Sequence, residues 1–201
     1  MSRFNYQRFY DCISPIYAVA MRLIPAWRRY ARQALPWLPP GGRILEIGHG
    51  PGFLLEELSQ QHVLGAGVDL SWGMIQRAQG RLRRAHLPIR LVQGDAAHLP
   101  FATESLDGVV MVFSLDAIPD GLAAVLEASR VLRSGGTLAV VEARTPADGQ
   151  IIGTSLAKIL ALFGTLLRDE AELMQQAGLR VIEQREFGPF QSIRLVVGQK
   201  P

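Results

Sequence analysis

The chain has 201 residues, 48% of them hydrophobic and 19% charged, which suffices to bury a substantial core in one domain and excludes a disordered chain. Its formal net charge of +3 is unevenly placed: residues 1–43 carry seven arginines against the single acid Asp11, so the remainder is negative. Cys12 is the only cysteine, which excludes an intrachain disulfide and a cysteine-based metal cluster.

The opening MSRFNYQRFYDC lacks the basic region and apolar core of a secretory leader, and no uninterrupted apolar stretch of about 18 residues occurs. The expectation is a cytoplasmic protein, with peripheral membrane contact left open. Residues 1–12 are rich in aromatics: Phe4, Tyr6, Phe9 and Tyr10. From Tyr17 to Leu35 apolar residues recur near helical spacing, at Tyr17, Ala20, Met21, Ile24, Trp27 and Ala31, with Arg22, Arg28, Arg29 and Arg32 interleaved. Pro25 is expected to kink or split this helix. Such a basic helix suits an anionic surface or substrate as well as a plain solvated face. Pro36, Pro39, Pro40, Gly41 and Gly42 then punctuate the chain.

Ile44-Leu45-Glu46-Ile47 reads as a buried parallel strand that stops at glycine. Gly48, Gly50 and Gly52 alternate with His49 and Pro51, giving E-x-G-x-G-x-G, and Phe53–Gln61 reads as an amphipathic helix. Glycines let a ligand sit against the main chain, and Pro51 suits the first helical position. Such a loop is a nucleotide-type site in open parallel sheets. The dinucleotide spacing G-x-G-x-x-G wants a third glycine at position 53, where the chain has Phe53, and this disfavours a dinucleotide.

Val63–Asp69 is expected to be the second strand, Trp72–Arg84 the second helix of the core, and Ile89–Gln93 a third strand leading into Gly94-Asp95. Gly108–Phe113 is apolar throughout, as a central parallel strand should be. The helix Gly121–Leu132, the turn Ser134–Gly136 and the strand Thr137–Glu142 follow. Ile151–Leu167 is almost wholly apolar apart from Lys158 and small polar residues, Arg168–Ala177 is a polar helix, and Leu179–Phe187 and Ile193–Gln199 read as a terminal strand pair. Strands alternating with helices at this spacing indicate a doubly wound α/β sheet.

LEIGHGPG, the acid closing Val68-Asp69-Leu70, and Gly94-Asp95-Ala96-Ala97-His98-Leu99-Pro100-Phe101 together resemble the class I S-adenosylmethionine-dependent methyltransferases. Within them the chain is most similar to the small-molecule branch that includes the ubiquinone/menaquinone and phospholipid methyltransferases. The resemblance implies a Rossmann-like seven-stranded sheet of order 3-2-1-4-5-7-6 with its last strand antiparallel and helices on both faces. It implies one methyltransferase domain, with residues 1–40 a helical lid, 41–145 the cofactor-binding core and 146–201 a lid helix plus the strand pair. In that reading Gly48, His49, Gly50 and Gly52 bring backbone against the methionine part of S-adenosyl-L-methionine, and Glu46 helps hold its ammonium group. Asp69 takes the ribose hydroxyls, Asp95 and the Ala96 amide the adenine edge, and Leu70 and Met74 the adenine faces. Tyr10, in the Tyr10-Asp11 pair, and Phe113 complete the cofactor set. For any one of these acids alone, capping the next helix or turn is the simpler role.

Methyl transfer needs an in-line approach, so positioning carries much of it and a base is optional. The candidates for a polar group facing the acceptor are Asp116 and His98, followed by His49, Tyr6, Tyr10 and Tyr17. The expected acceptor is small, hydrophobic or lipid-like, lodged beneath the N-terminal helix and Ile151–Leu167. Nucleic acid is disfavoured because no aromatic-basic signature accompanies the arginines. A monomer and a homodimer both fit, and no metal is expected. The competing readings are a dinucleotide-dependent oxidoreductase and a non-catalytic S-adenosylmethionine-binding module acting through partners.

Overall fold

Arg43–Ile47 forms β1, buried at four of its five positions, and the rest of the sheet grows outward from it. In this computed structural model the described residues are 5–23, 25–61, 64–88, 90–144 and 168–201. Strands β2 (Leu64–Asp69), β3 (Arg90–Gln93), β4 (Leu106–Val112), β5 (Leu132–Ala143), β6 (Arg180–Phe187) and β7 (Ile193–Gln199) join β1 in one sheet of order β3-β2-β1-β4-β5-β7-β6. The first five pair in parallel, and β7 runs antiparallel between β5 and β6. The order reverses between β1 and β4, the position at which open α/β sheets place their ligand.

Period-two alternation along β1 sends Ile44 and Glu46 to one face and Leu45 and Ile47 to the other. On the first face Ile44, Val110, Ala139, Val141, Leu195 and Val197 pack under Leu54, Leu55 and Leu58 of α3 (Phe53–Gln61) and Leu82 of α4 (Trp72–Arg84). On the second, Leu45, Val109, Met111, Leu138, Val140 and Val196 pack against Ala124, Val125 and Ala128 of α5 (Gly121–Val131) and Met174 of α6 (Glu170–Gln176). Each fully buried Val, Leu, Ile or Met among them contributes about 1.5–3 kcal/mol of transfer free energy, which is why strands this apolar sit inside.

The N-terminal region differs most from expectation. Its helix begins eleven residues earlier than the apolar periodicity suggests: α1 spans Tyr6–Leu23, α2 spans Pro25–Ala31, and a 3-10 turn covers Arg32–Trp37. Pro25 splits the helix as expected and opens the second piece. Pro15 lies inside α1, where it cannot donate to the Asp11 carbonyl. The Ser14 hydroxyl donates to that carbonyl instead, at 3.1 Å, so the turn stays bonded.

Elsewhere the differences are local. Pro51 is not the first residue of α3: the helix starts at Phe53, because Gly52 between them has φ +77°. Ser134-Gly135-Gly136 turns within β5 itself, since Leu106 pairs with Leu132 while Gly108 pairs with Thr137, leaving Arg133–Gly136 looped out. The expected Val63 and Ile89 strand starts, Phe4, Ile24 and the apolar run Ile151–Leu167 lie outside the described residues. Among the described residues no helix is long and apolar enough to cross a membrane.

Candidate functional site

The carboxyl ends of β1, β2 and β4 are stitched together by their own loop residues. Gly48 N–H donates to Val68 O at 2.7 Å, and the Ser114 hydroxyl donates to Ile47 O at 2.8 Å. Glu142, 2% exposed near the end of β5, accepts the Ser114 and Leu115 amides at 2.7 and 2.6 Å on one oxygen. Position 48 must be glycine on two counts. Its φ is +68°, and a Cβ there would lie 2.5 Å from Ser114 Cβ.

These strand ends open into a cleft of about 740 Å³, open to solvent, whose wall includes Gly48, Gly50, Asp69, Leu70, Met74, Asp95, Ala96, Phe113 and Tyr10. Nine of the expected cofactor residues are thus brought together around one space. Asp69 closes β2 and accepts the Gly50 amide on Oδ2 and the Ser71 amide on Oδ1, both at 2.8 Å. A carboxylate has about four acceptor positions, so Asp69 keeps capacity for two further donors. Asp95 is about half exposed, accepts the Ala97 amide at 2.9 Å and has His98 Nδ1 3.8 Å away.

Tyr6, Gln7, Tyr10 and Tyr17 of α1 roof this cleft. The helix is held there by Asp11, whose Oδ1 accepts the Ser71 hydroxyl at 2.6 Å and the Gly73 amide at 2.9 Å. Ser71 is also the N-cap of α4, accepting Met74 N–H at 3.2 Å. Burial, with the negative charges of Glu142 and Asp69, pushes the Tyr10 hydroxyl up to about 12. Burial likewise raises Tyr17, so both phenols face the cleft as neutral hydroxyls rather than as phenolate bases.

The other expected residues fall elsewhere. Glu46 and His49 line a second, adjoining cavity with Trp27, Arg28 and Phe53. Glu46 is 3% exposed, and burial together with Asp69 pushes its carboxyl well above the ordinary range, against the pull of the Leu55 amide that it accepts. Gly52 packs on α4, where a Cβ would sit 2.9 Å from Ala78 Cβ. His98 is on the surface, with its side chain 86% exposed.

Asp116 sits in a 3-10 turn, Leu115–Ala117, at 1% exposure, behind a wall formed by Ser114, Ala117 and Ile118. Burial and the neighbouring Glu170 raise its carboxyl to about 7, with the Arg168 charge opposing. Its place is in a buried carboxyl group with Glu142 and Glu170 rather than on the cleft surface.

Three contributors escaped sequence reasoning. Glu142 carries the same signal as Glu46 and Asp69, an acid at the carboxyl end of an apolar strand, and was readable in that way. Trp27, stacked on Phe113 with centroids 3.6 Å apart, had no local signal, since only the packing of α2 over the β4 loop brings it in, and Ser114 had none either, since its bonds to Ile47 and Glu142 come from neighbouring strands.

Residues 45–140 match the family described as methyltransferase domain. The chain is 37% identical over 139 residues to a demethylmenaquinone methyltransferase of Beutenbergia cavernae, covering 69% of this chain and 55% of that protein. It is 31% identical over 144 residues to the enzyme of the same description from Corynebacterium kroppenstedtii, covering 69% and 60%. The chain therefore spans little more than half the length of the curated relatives it matches. Among solved structures, a protein of Thermotoga maritima described as a SAM-dependent methyltransferase superposes with a TM-score of 0.74 at 23% identity, over 98% of this chain and 100% of that one. Geranyl diphosphate C-methyltransferase of Streptomyces coelicolor A3(2) superposes with a TM-score of 0.72 at 16% identity, over 90% and 80%.

Proposed function

We propose that the chain is a class I S-adenosylmethionine-dependent methyltransferase that transfers a methyl group from that cofactor to a small, apolar acceptor with an electron-rich centre of its own. One observation carries the reading: Gly48, Gly50, Asp69 and Asp95, drawn from three strand ends, line a single cleft at the reversal of strand order. Their chemistry fits the cofactor. Asp69 has spare acceptor capacity for a diol, Asp95 an exposed carboxylate for an exocyclic amine, and Glu46 a buried Oε2 without a partner among the described residues.

When bound, S-adenosylmethionine supplies an electrophilic methyl on a sulfonium sulfur. The protein's part is to hold and orient. Gly48 and Gly50 offer bare backbone, Met74 and Leu70 offer apolar faces, and the α1 tyrosines exclude water. The cleft lining also includes Tyr6, Phe113, Ala117, Ile118 and Pro119. Among the described residues lining the cleft the acids are Asp69 and Asp95, no His, Lys or Glu is present, and the nearby phenols keep their protons. An acceptor that ionises by itself, such as a hydroquinone-like ring attacking through carbon, suits these walls better than an alcohol needing a base. The relatives named for demethylmenaquinone support an apolar acceptor of this kind.

The test is calorimetric titration with S-adenosylmethionine, S-adenosylhomocysteine and NADH, repeated on Asp69→Ala and Asp95→Asn. The expected result is binding of both sulfur ligands, weakened in both variants, with no binding of NADH. Binding of NADH without the sulfur ligands would overturn the reading.

A further inference from the structure

The 18-residue helix α1 has three sides with different surroundings. Tyr6, Tyr10 and Tyr17 line the cleft. Asp11 and Ser14 face α4, where a Cβ at Gly73 would lie 2.8 Å from Ser14 Oγ and 3.3 Å from Asp11 Cα. Arg8, Cys12, Ile16 and Val19 recur at helical spacing on the remaining side and are all exposed. The first two sides hold the helix in place, and the third is left to solvent.

Ile16 is 75% exposed and Val19 57%. Of the six large apolar side chains most exposed among the described residues, these two together with Leu70 and Trp72 make four. Leu70 stands on the cleft wall and Trp72 opens α4 beside Gly73, so all four belong to the two elements that Asp11 ties together through Ser71 and Gly73. Single apolar residues scattered over a surface are ordinary, whereas four gathered at one junction beside a cleft mark a contact surface.

The charge on the same elements has one sign. Arg83 shares a helical face with Trp72, and Arg77 and Arg84 lie on the side of Gly73, toward α1; all three arginines are exposed. The exposed Arg8 and Arg29 add to them from α1 and α2. Asp11 is the only acid in α1, α2 and α4, and it is engaged by Ser71 and Gly73. The acids of α3, Glu56 and Glu57, are paired with Arg81 and Arg32. An apolar patch edged by a tryptophan and by arginines without a competing acid complements a surface that is anionic outside and apolar just beneath, the make-up of an anionic phospholipid bilayer. A nucleic acid would engage the arginines and leave Ile16 and Val19 in water.

We propose that the outer side of α1 and the start of α4 dock on a bilayer containing anionic phospholipid, which sets the cleft beside Leu70 against the lipid in which an apolar acceptor dissolves. The role of this contact rests on the acceptor reading above, and the contact itself does not.

The full chain is titrated with vesicles of phosphatidylglycerol and phosphatidylcholine, with vesicles of phosphatidylcholine alone and with a short DNA duplex, and S-adenosylhomocysteine binding is measured in parallel. The expected result is binding to the anionic vesicles alone, weakened by salt. The double change Ile16→Ser/Val19→Ser should weaken it about tenfold and Arg83→Gln about fivefold, while thermal midpoint and S-adenosylhomocysteine affinity stay at the wild-type level, because these side chains lie on the surface. Failure of the wild type to bind anionic vesicles, equal binding to both kinds of vesicle, tighter binding to the duplex, or vesicle binding unchanged by Ile16→Ser/Val19→Ser would each overturn the proposal. A stable dimer in sedimentation that this double change dissociates would overturn it too, since a second copy would then cover the face. A wild type that binds anionic vesicles but not S-adenosylhomocysteine would leave the surface assigned and remove the cofactor reading instead.

Discussion

Asp11 on α1 accepts the Ser71 hydroxyl at 2.6 Å, across sixty residues of sequence, and this bond ties the roof of the cleft to the start of α4. Because Asp11 also takes the Gly73 amide, one carboxylate secures two contacts to that helix start. Asp11→Ala is expected to cost about 1.5–3 kcal/mol, the range for hydrogen bonds to a charged group, and to weaken S-adenosylhomocysteine binding by loosening Tyr10 and Tyr17. Ser71→Ala loses the same bond plus the cap on Met74 N–H, so the two changes should be non-additive in a thermal-unfolding double-mutant cycle. Strict additivity would mean that α1 is held by other contacts.

Gly48 and Gly135 separate backbone strain from steric exclusion. Both have positive φ, +68° and +76°, but a Cβ at Gly48 meets Ser114 whereas at Gly135 it meets nothing within 4 Å. Gly135→Ala is expected to cost about 1 kcal/mol and Gly48→Ala about 3 kcal/mol or more, measured by urea unfolding. Equal costs would show that the β1 loop relaxes away from Ser114.

Glu46 should make cofactor binding proton-linked. Burial and the Asp69 charge raise its carboxyl well above the ordinary range, which favours the protonated form before a cation arrives. An incoming ammonium favours the ionised form, so binding of S-adenosylhomocysteine releases a proton and tightens as pH rises. In calorimetry the apparent enthalpy at pH 7 should vary with the ionisation enthalpy of the buffer. Glu46→Gln should remove that variation, and an invariant enthalpy in the wild type would show that the carboxyl is already ionised.

Asp116 predicts a pH-dependent stability of definite sign. Its folded pKa of about 7 lies above the unfolded value near 3.8, so between those two the unfolded chain has already given up a proton that the native state retains. Stability therefore falls as pH rises from about 4 to about 7 and levels off above. Glu170, also raised to about 7 chiefly by burial, acts in the same direction. Asp116→Asn should reduce the difference in unfolding free energy between pH 5 and pH 8 and should be more stable than wild type at pH 8, by about 1–3 kcal/mol. A wild-type protein equally stable at both pH values would contradict the buried, protonated state.

The core and its strand-end acids were legible because their signals are local. An apolar run ending in Glu46 before alternating glycines, an acid closing the next strand at Asp69, and Asp95 after a third each state in a few residues what lies at the end of a strand. Likewise Trp72–Arg84 and Ile193–Gln199 have the boundaries that their periodicity indicates, because each buries a continuous face or strip. The order of the last two strands came only with the family resemblance, since no short-range rule says that β7 inserts between β5 and β6.

What tertiary structure alone decided is which side chains share a space. Asp116 follows β4 as a substrate-facing residue would, yet the turn Leu115–Ala117, bound through its Leu115 amide to Glu142, carries it behind the wall. His49 occupies a slot where any side chain is formally allowed, and only the absence of one at Gly67, in another strand, gives the ring its place in the cavity that Glu46 also lines. Arg28 and Trp27 read as part of a basic helix, and it is the packing of α2 over Phe53 and Phe113 that brings them to the cavity. Periodicity and motif spacing report each segment's own burial and turns. Proximity between segments depends on packing and register, which are properties of the assembled sheet.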